Sequence, residues 1–329
     1  MKATARAFTN IALIKYWGKR NESLFLPMNS SLSITLDKFY TTTSVQFCEC
    51  LTKDVVFLNH SLMDEKETRK ITSFLDRLRE ISGKRVNAIV NTMNKVPISA
   101  GLASSASGFA ALAAAAAKAM NLNLDKKGLS QLARQGSGSA CRSIYGGYVE
   151  WQRGEMEDGT DSYASPIMDG QDWNLSILSV ILSSEPKKVS SRDGMKRTVE
   201  SSPFYSNWVA EAEKDLQTAK NAISKRDFEM LGKVVEANAL KMHATTLGAD
   251  PPFMYWQGTT YHVMQKVQEL RQSGIQAYFT IDAGPNVKIL CQPEDEQYIR
   301  KEMLDLPFVQ DVHLCHPGPG VTYLSNSKY

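Results

Sequence analysis

The sequence is poor in the features that mark several classes of protein. Five cysteines occur in 329 residues, at positions 48, 50, 141, 291 and 315. An odd, sparse set does not make a disulfide framework, so a reducing compartment is the expectation. The longest apolar run, Phe109 to Ala117, is far shorter than the roughly 20 residues that span a bilayer. The N-terminal MKATARAFTNIALIKYWGK has no apolar core followed by a small-residue cleavage site. A cytoplasmic protein with no membrane partner is expected. The charge surplus is also small: 38 Lys+Arg against 35 Asp+Glu leaves +3. That balance does not support binding of nucleic acid or a membrane surface by bulk charge. Metal-binding spacing is absent too. Cys48-Glu-Cys50 has no second pair at zinc-finger distance, and His313-Leu-Cys315-His316 reads as a strand end.

What is present is an ordinary globular composition, 43% apolar and 22% charged. At roughly 100–200 residues per domain, the length suggests about two domains. Residues 2–14, 31–47, 86–92 and 146–152 carry strand-like patterns, residues 64–82 and 126–135 carry helical ones, and an alanine-rich helix follows Gly108 up to about Met120. A strongly β-like run, 174–184, precedes a polar stretch. Residues 207–247 then show the stripe of long amphipathic helices. A helix over 259–273, strands at 276–281 and 286–291, a helix over 294–304 and a strand near 309–314 complete the chain. Strands and helices mix without strict βαβ alternation. The expected class is therefore α+β, with one domain over 1–185 and a second over 186–329.

The segment Pro97-Ile-Ser-Ala-Gly101-Leu102-Ala103-Ser104-Ser105-Ala-Ser107-Gly108 lies between a predicted strand and a predicted helix. Small residues admit a ligand close to the backbone. The unpaired N–H groups of a first helical turn, with serine hydroxyls, suit a phosphate. The segment has neither the Gly-Lys-Ser/Thr of a Walker A loop nor G-x-G-x-x-G. Taken alone, it reads equally well as a capped turn before a closely packed helix.

Its pattern resembles the nucleotide-binding loop of the GHMP kinase superfamily. Three further segments narrow the resemblance: Lys15-Tyr16-Trp17-Gly18-Lys19, Ser137-Gly138-Ser139-Ala140-Cys141-Arg142 and Asp282-Ala-Gly-Pro-Asn-Val-Lys288. Together with the serine loop they resemble the mevalonate diphosphate decarboxylase family from about residue 5 to the C-terminus. The resemblance implies a GHMP kinase fold. Its N-terminal domain would be like ribosomal protein S5 domain 2, its C-terminal domain ferredoxin-like, with the active-site cleft between them. It also implies a homodimer, ATP as co-substrate, Mg2+, and conversion of mevalonate 5-diphosphate to isopentenyl diphosphate, ADP, phosphate and CO2.

That chemistry assigns expectations to residues. Phosphorylation makes the tertiary hydroxyl a leaving group, phosphate departs, and loss of CO2 forms the double bond. By resemblance, Asp282 orients or deprotonates the hydroxyl and Lys15 lies beside it. An ordinary Asp, with a pKa near 3.9, is a weak base for an alcohol, so positioning and negative charge are its main expected contributions. Without the resemblance, Asp282 reads as a turn cap. Arg142 is expected to grip the substrate carboxylate through two parallel hydrogen bonds; its plainer reading is a surface ion pair. Tyr16, Trp17, Gly18, Lys19, Arg69, Ser137, Gly138, Ser139, Ala140, Cys141, Ser191, Arg192 and Met195 fall at substrate-binding positions. Arg192 departs from the Ser or Thr common in the family. Asn94, Gly101, Leu102, Ala103, Ser104, Ser105, Ser107 and Gly108 are expected to serve the nucleotide. Magnesium would bridge ATP phosphates, and no protein metal cage is expected. The competing readings are a superfamily kinase acting on mevalonate or phosphomevalonate without decarboxylation, and a GHMP-like ATP-binding protein without turnover.

Overall fold

The computed structural model describes residues 2–96, 104–185 and 187–325. The chain begins with β1 (Lys2–Ile14), a hairpin of β2 (Lys19–Asn21) and β3 (Leu26–Pro27), and the long β4 (Ser31–Cys48). Then come β5 (Val55–Leu58), β6 (Ser61–Leu62), α1 (Glu65–Ser82), β7 (Asn87–Asn94), α2 (Ser104–Ala119) and α3 (Lys126–Arg134). A short 3-10 helix (Gly138–Ile144) leads to β8 (Tyr148–Trp151) and β9 (Ala164–Met168). The remainder comprises β10 (Ser176–Ile181), α4 (Ser191–Ser201), α5 (Tyr205–Lys225), α6 (Phe228–Leu247), α7 (Gly258–Gln272), β11 (Ala277–Ile281), β12 (Val287–Cys291), α8 (Glu296–Leu304), β13 (Asp311–Cys315) and β14 (Thr322–Leu324).

Helix starts follow local chemistry. Asp64, Asp125, Ser190 and Asp227 each accept a hydrogen bond from a first-turn N–H of α1, α3, α4 and α6. In β1, Ala3, Ala5 and Ala7 face one side and are buried with the alanines of α2. The small side chains bring that helix close to β1 and β4. Asp54, buried at the sheet's edge, receives the Arg79 guanidinium from α1 at 2.6 Å.

The first sheet runs β14-β1-β4-β7-β5-β6, with β8 on the first half of β4 and β9 beyond it. The second runs β11-β12-β10-β13 and is antiparallel. One of its faces packs on α7 and α8 through Leu178, Phe279, Ile281, Val263, Val267 and Ile299. Its other face meets α5 and α6, which also cover Ile11, Leu13 and Ile14 of β1. These two helices are thus wedged between the sheets.

One expectation needs correction. A boundary at 185 would put β10 in the first half, yet β10 pairs with β12 and β13 and lies at the heart of the second sheet. Its apolar run cannot reveal its partners, which lie over a hundred residues further on. Among the cysteines, for which no disulfide framework is expected, one local bond is present. Cys48 and Cys50 are bonded, although the link joins no distant segments. Cys141, Cys291 and Cys315 are buried and free.

Candidate active site

Lys15 follows the last residue of β1 and is almost fully buried. Its backbone is held from two sides: its N–H donates to Asn238 Oδ1 at 2.8 Å, and its carbonyl accepts from Asn29 Nδ2 at 2.8 Å. Its Nζ donates to the Ala12 carbonyl at 2.9 Å and to Asp282 Oδ1 at 2.7 Å. Asp282 follows β11, and its second oxygen lies 3.6 Å from Lys288 Nζ. Lys288 belongs to β12, where it pairs with Thr280. The lysine side chains are 3% and 1% exposed, whereas that of Asp282 is 30% exposed. The carboxylate therefore sits on two dry ammonium groups and opens outward. Burial opposes its charge, but the two lysines outweigh that cost and hold the carboxyl well below the usual carboxylate range. Burial depresses both lysines.

The turn bearing Asp282 is tied down. Gly284 N–H donates to the Asp282 carbonyl at 2.7 Å, and Thr260 Oγ1 at the start of α7 donates to the Pro285 carbonyl at 2.8 Å. His243 of α6, 3.3 Å from the Ile281 carbonyl, donates to it through Nε2. Burial first, then the charge of Lys15, holds this imidazole down to about 3, so it is neutral.

Arg142 lies in the 3-10 helix and is buried, with 2% exposure. Its guanidinium donates to Ser31 Oγ at 2.6 Å and to Asn10 Oδ1 at 3.2 Å. Asn10 in turn donates to Ser143 Oγ and the Ser139 carbonyl. Among the described residues no carboxylate lies within ion-pair distance of Arg142, and its Nε–H is buried without a partner. A buried cation lacking an anion is costly; it suits an anionic ligand. The Tyr16 hydroxyl and the Trp17 indole N–H are likewise buried and unpartnered. Tyr16 packs on Trp151 at 4.7 Å between ring centres. A Cβ at Gly138 would come within 2.9 Å of both rings, so glycine there permits this packing.

At Gly18 the chain turns with φ +99°, and a Cβ would strike the Tyr205 hydroxyl. That hydroxyl donates to the Trp17 carbonyl at 2.7 Å. Lys19 pairs with Glu22 and lies over the Phe25 ring. Arg192, exposed in the first turn of α4, approaches the same ring at 5.8 Å. Ser191 accepts from Lys187 Nζ at 3.4 Å, and Met195 packs with Trp17, Tyr205 and Tyr255. The polar stretch following the second β-like run therefore contains a helix that meets the Lys19 hairpin.

Of the serine loop, Gly101, Leu102 and Ala103 lie outside the described residues. Ser104 and Ser105 open α2 and are exposed, and Gly108 faces open space. Ser137 Oγ donates to Ser105 Oγ at 3.4 Å, which brings the two serine segments together. Ser107 is fully buried, its hydroxyl shared with Thr41 and the Ser104 carbonyl. Asn94 ends β7; its side-chain oxygen accepts from Thr41 Oγ1 and Val96 N–H. Ala140 and Cys141 are buried, and burial pushes the Cys141 thiol up to about 12. Arg69 is not brought to the cluster: it lies 78% exposed on α1 beside Glu65.

Sequence reasoning gave no role to Asn10, Asn238 or His243, and named Lys288 only as the end of the motif that begins at Asp282. Lys288 also leaves a local trace, as a cation inside the otherwise apolar strand Val-Lys-Ile-Leu-Cys.

Comparison with known proteins identifies the family. Residues 7–164 match the diphosphomevalonate decarboxylase-like N-terminal domain, and residues 177–313 match the mevalonate 5-diphosphate decarboxylase C-terminal domain. The diphosphomevalonate decarboxylase of Homo sapiens is 38% identical over 307 residues, covering 87% of this chain and 76% of its own. Mevalonate diphosphate decarboxylase from Staphylococcus aureus superposes with a TM-score of 0.94 at 45% identity over 98% of each chain. A structure of MDDEF in complex with MVAPP, AMPPCP and magnesium superposes with a TM-score of 0.93 at 48% identity over 99% of each chain.

Proposed function

The chain belongs to the diphosphomevalonate decarboxylase family, and from that premise we propose that it converts mevalonate 5-diphosphate and ATP into isopentenyl diphosphate, ADP, phosphate and CO2. Its fold is the α+β GHMP kinase fold of its structural relatives. The observation that carries the reading is the outward-opening Asp282 carboxylate on Lys15 and Lys288, within reach of the charge of Arg142.

Such a carboxylate is a poor base at neutral pH. It accepts a hydrogen bond from the tertiary hydroxyl and so aims its oxygen at the terminal phosphorus of ATP; as the O–P bond forms and the bond to ADP breaks, the hydroxyl proton, made acidic by that transfer, passes to the carboxylate. As phosphate leaves, its negative charge faces the positive carbon that develops. Arg142 supplies what decarboxylation needs: a guanidinium fixed by Ser31 and Asn10, with its Nε–H left for the substrate carboxylate. Breaking the carbon–carboxylate bond delivers its electron pair to the new double bond and releases CO2. Lys19, Arg192 and the first turn of α4 suit the diphosphate, as do Tyr16 and Ser139. The first turn of α2, with Ser104 and Ser105, suits the ATP phosphates.

Among the described residues no three His, Cys, Asp or Glu side chains are grouped to hold a metal. Magnesium would come with the ATP phosphates and would neutralise part of their charge. A homodimer acting in the cytoplasm is part of this reading, supported by the family resemblance. No helix among the described residues is long and apolar enough to cross a membrane.

The test follows ADP and CO2 together in purified protein given ATP, Mg2+ and mevalonate 5-diphosphate. Equal release of both supports the decarboxylase. ADP without CO2 would mean a kinase that stops at phosphorylation, and release of neither would sink the reading.

A further inference from the structure

Lys15 and Asp282 come from different sheets, and one buried helix touches the backbone at both. From α6, Asn238 accepts the Lys15 N–H at 2.8 Å. From the same helix, His243 donates to the carbonyl of Ile281, the residue before Asp282. Five positions along a helix correspond to about 7.5 Å and roughly 1.4 turns. The two side chains thus leave α6 in different directions, one toward the end of β1 and one toward the end of β11. Each is fixed from behind. Asn238 donates to Asp215 of α5 at 2.9 Å, and Asp215 is itself paired with Lys241 at 2.8 Å. The His243 ring packs on Trp256 at 4.9 Å and near Tyr255. A third position sets the depth: a Cβ at Gly232 would fall 2.0 Å from the Tyr278 ring of β11, so glycine there lets α6 lie close on that strand.

We propose that α6 sets the spacing of the reactive pair, with Asn238 and His243 as positioning residues that hold the backbones carrying Lys15 and Asp282. This rests on the reading of Lys15 and Asp282 as the reactive pair. The contribution of His243 is the N–H at its ε position. The imidazole neither touches substrate nor transfers a proton. Loss of that donor frees the end of β11 and lets the carboxylate drift from the hydroxyl it must orient, while the nucleotide and diphosphate contacts stay in place.

His243→Phe keeps a ring and removes the donor; His243→Gln keeps an N–H at the ε position; His243→Asn moves it to the δ position. All three are assayed by ADP release with mevalonate 5-diphosphate and Mg-ATP, alongside Asp282→Asn. A misplacement near 1 Å can cost about a hundredfold in rate, so kcat should fall at least about tenfold in the Phe and Asn variants, with both KM values within about threefold. Gln should retain at least about a third of the wild-type kcat. Should the Phe variant fail to fold, the Gln–Asn comparison carries the same test. Wild-type kcat in Phe or Asn, or equal impairment of Gln and Asn, would overturn the inference. If Asp282→Asn is inactive while Phe is normal, only the role of α6 falls; if Asp282→Asn is itself active, the reading of the pair falls with it.

Discussion

The Lys15 ammonium and the Asp282 carboxylate stand 267 positions apart in the chain and 2.7 Å apart in space. Each is carried just past the end of a strand, so neither needs a flexible loop to reach the other. Lys288 adds a second cation at 3.6 Å, leaving more positive than negative charge in a largely dry place. The arrangement keeps Asp282 ionised and makes it a director of a hydroxyl rather than a strong proton acceptor.

Replacement of Asp282 by Asn separates these roles from folding. Turnover should fall by about 10²–10⁴-fold, while ATP affinity stays within a few-fold. The two lysines would then face a neutral amide, costing about 1–3 kcal/mol of stability at neutral pH. They would shed protons more readily in the folded variant than in the unfolded chain, so stability should recover as pH rises toward that of free lysine. Thermal melts at neutral and alkaline pH check the sign, and near-normal turnover would remove Asp282 from the mechanism.

Arg142→Lys should lose about a hundredfold in kcat, since one ammonium cannot keep Ser31 and Asn10 engaged while presenting a planar edge to a carboxylate. Product analysis sharpens the test. A variant that transfers phosphate yet releases little CO2 places the defect at the carboxylate; a mild effect on both products argues against a clamp.

Two serines of α2 should behave differently. Ser105 is exposed beside Ser137, and its replacement by Ala should raise the KM for ATP by roughly tenfold. Ser107 is buried against Thr41, so Ser107→Ala should lower stability by about 1 kcal/mol and leave that KM nearly unchanged. Initial rates over an ATP series and a thermal melt of each variant decide the matter; equal effects on KM would place both hydroxyls at the nucleotide.

His243, held down to about 3 mainly by burial, should remain the neutral Nε2–H tautomer from pH 8 to about pH 5 in nitrogen NMR. The unfolded chain takes up a proton on this side chain near pH 6.5. Stability at this residue is therefore full above about pH 6.5 and is lost as pH falls toward the folded value. His243→Gln should lose less melting temperature between pH 7 and pH 5 than the wild type, and an equal loss would contradict the assignment.

Much of this architecture is legible in short segments. Asp64, Asp125 and Asp227 mark helix starts one residue before the pattern changes, and the alternating alanines of β1 already fit a helix lying close above them. Asp282 sits where a strand gives way to Ala-Gly-Pro, and the family motifs lead to it. Other features depend on partners distant in sequence. The apolar run of β10 fits either sheet. The few apolar residues of α4, Met195 and Val199 among them, make a weak stripe because the helix covers only a small aromatic cluster. Asn238 and His243 look like ordinary polar interruptions of a long helix until the ends of β1 and β11 are seen against them. Arg69 illustrates the converse: a position can match a motif while its side chain points to solvent.

The unmatched guanidinium of Arg142 has a practical consequence for handling the protein. A dry cation whose neighbours are a hydroxyl and an amide does not distinguish a substrate carboxylate sharply from other small oxyanions. Sulfate, phosphate or acetate from a buffer competes for it, raising the melting point by mass action while slowing turnover. Salt identity, beyond ionic strength, thus becomes a variable of every rate measured on this chain.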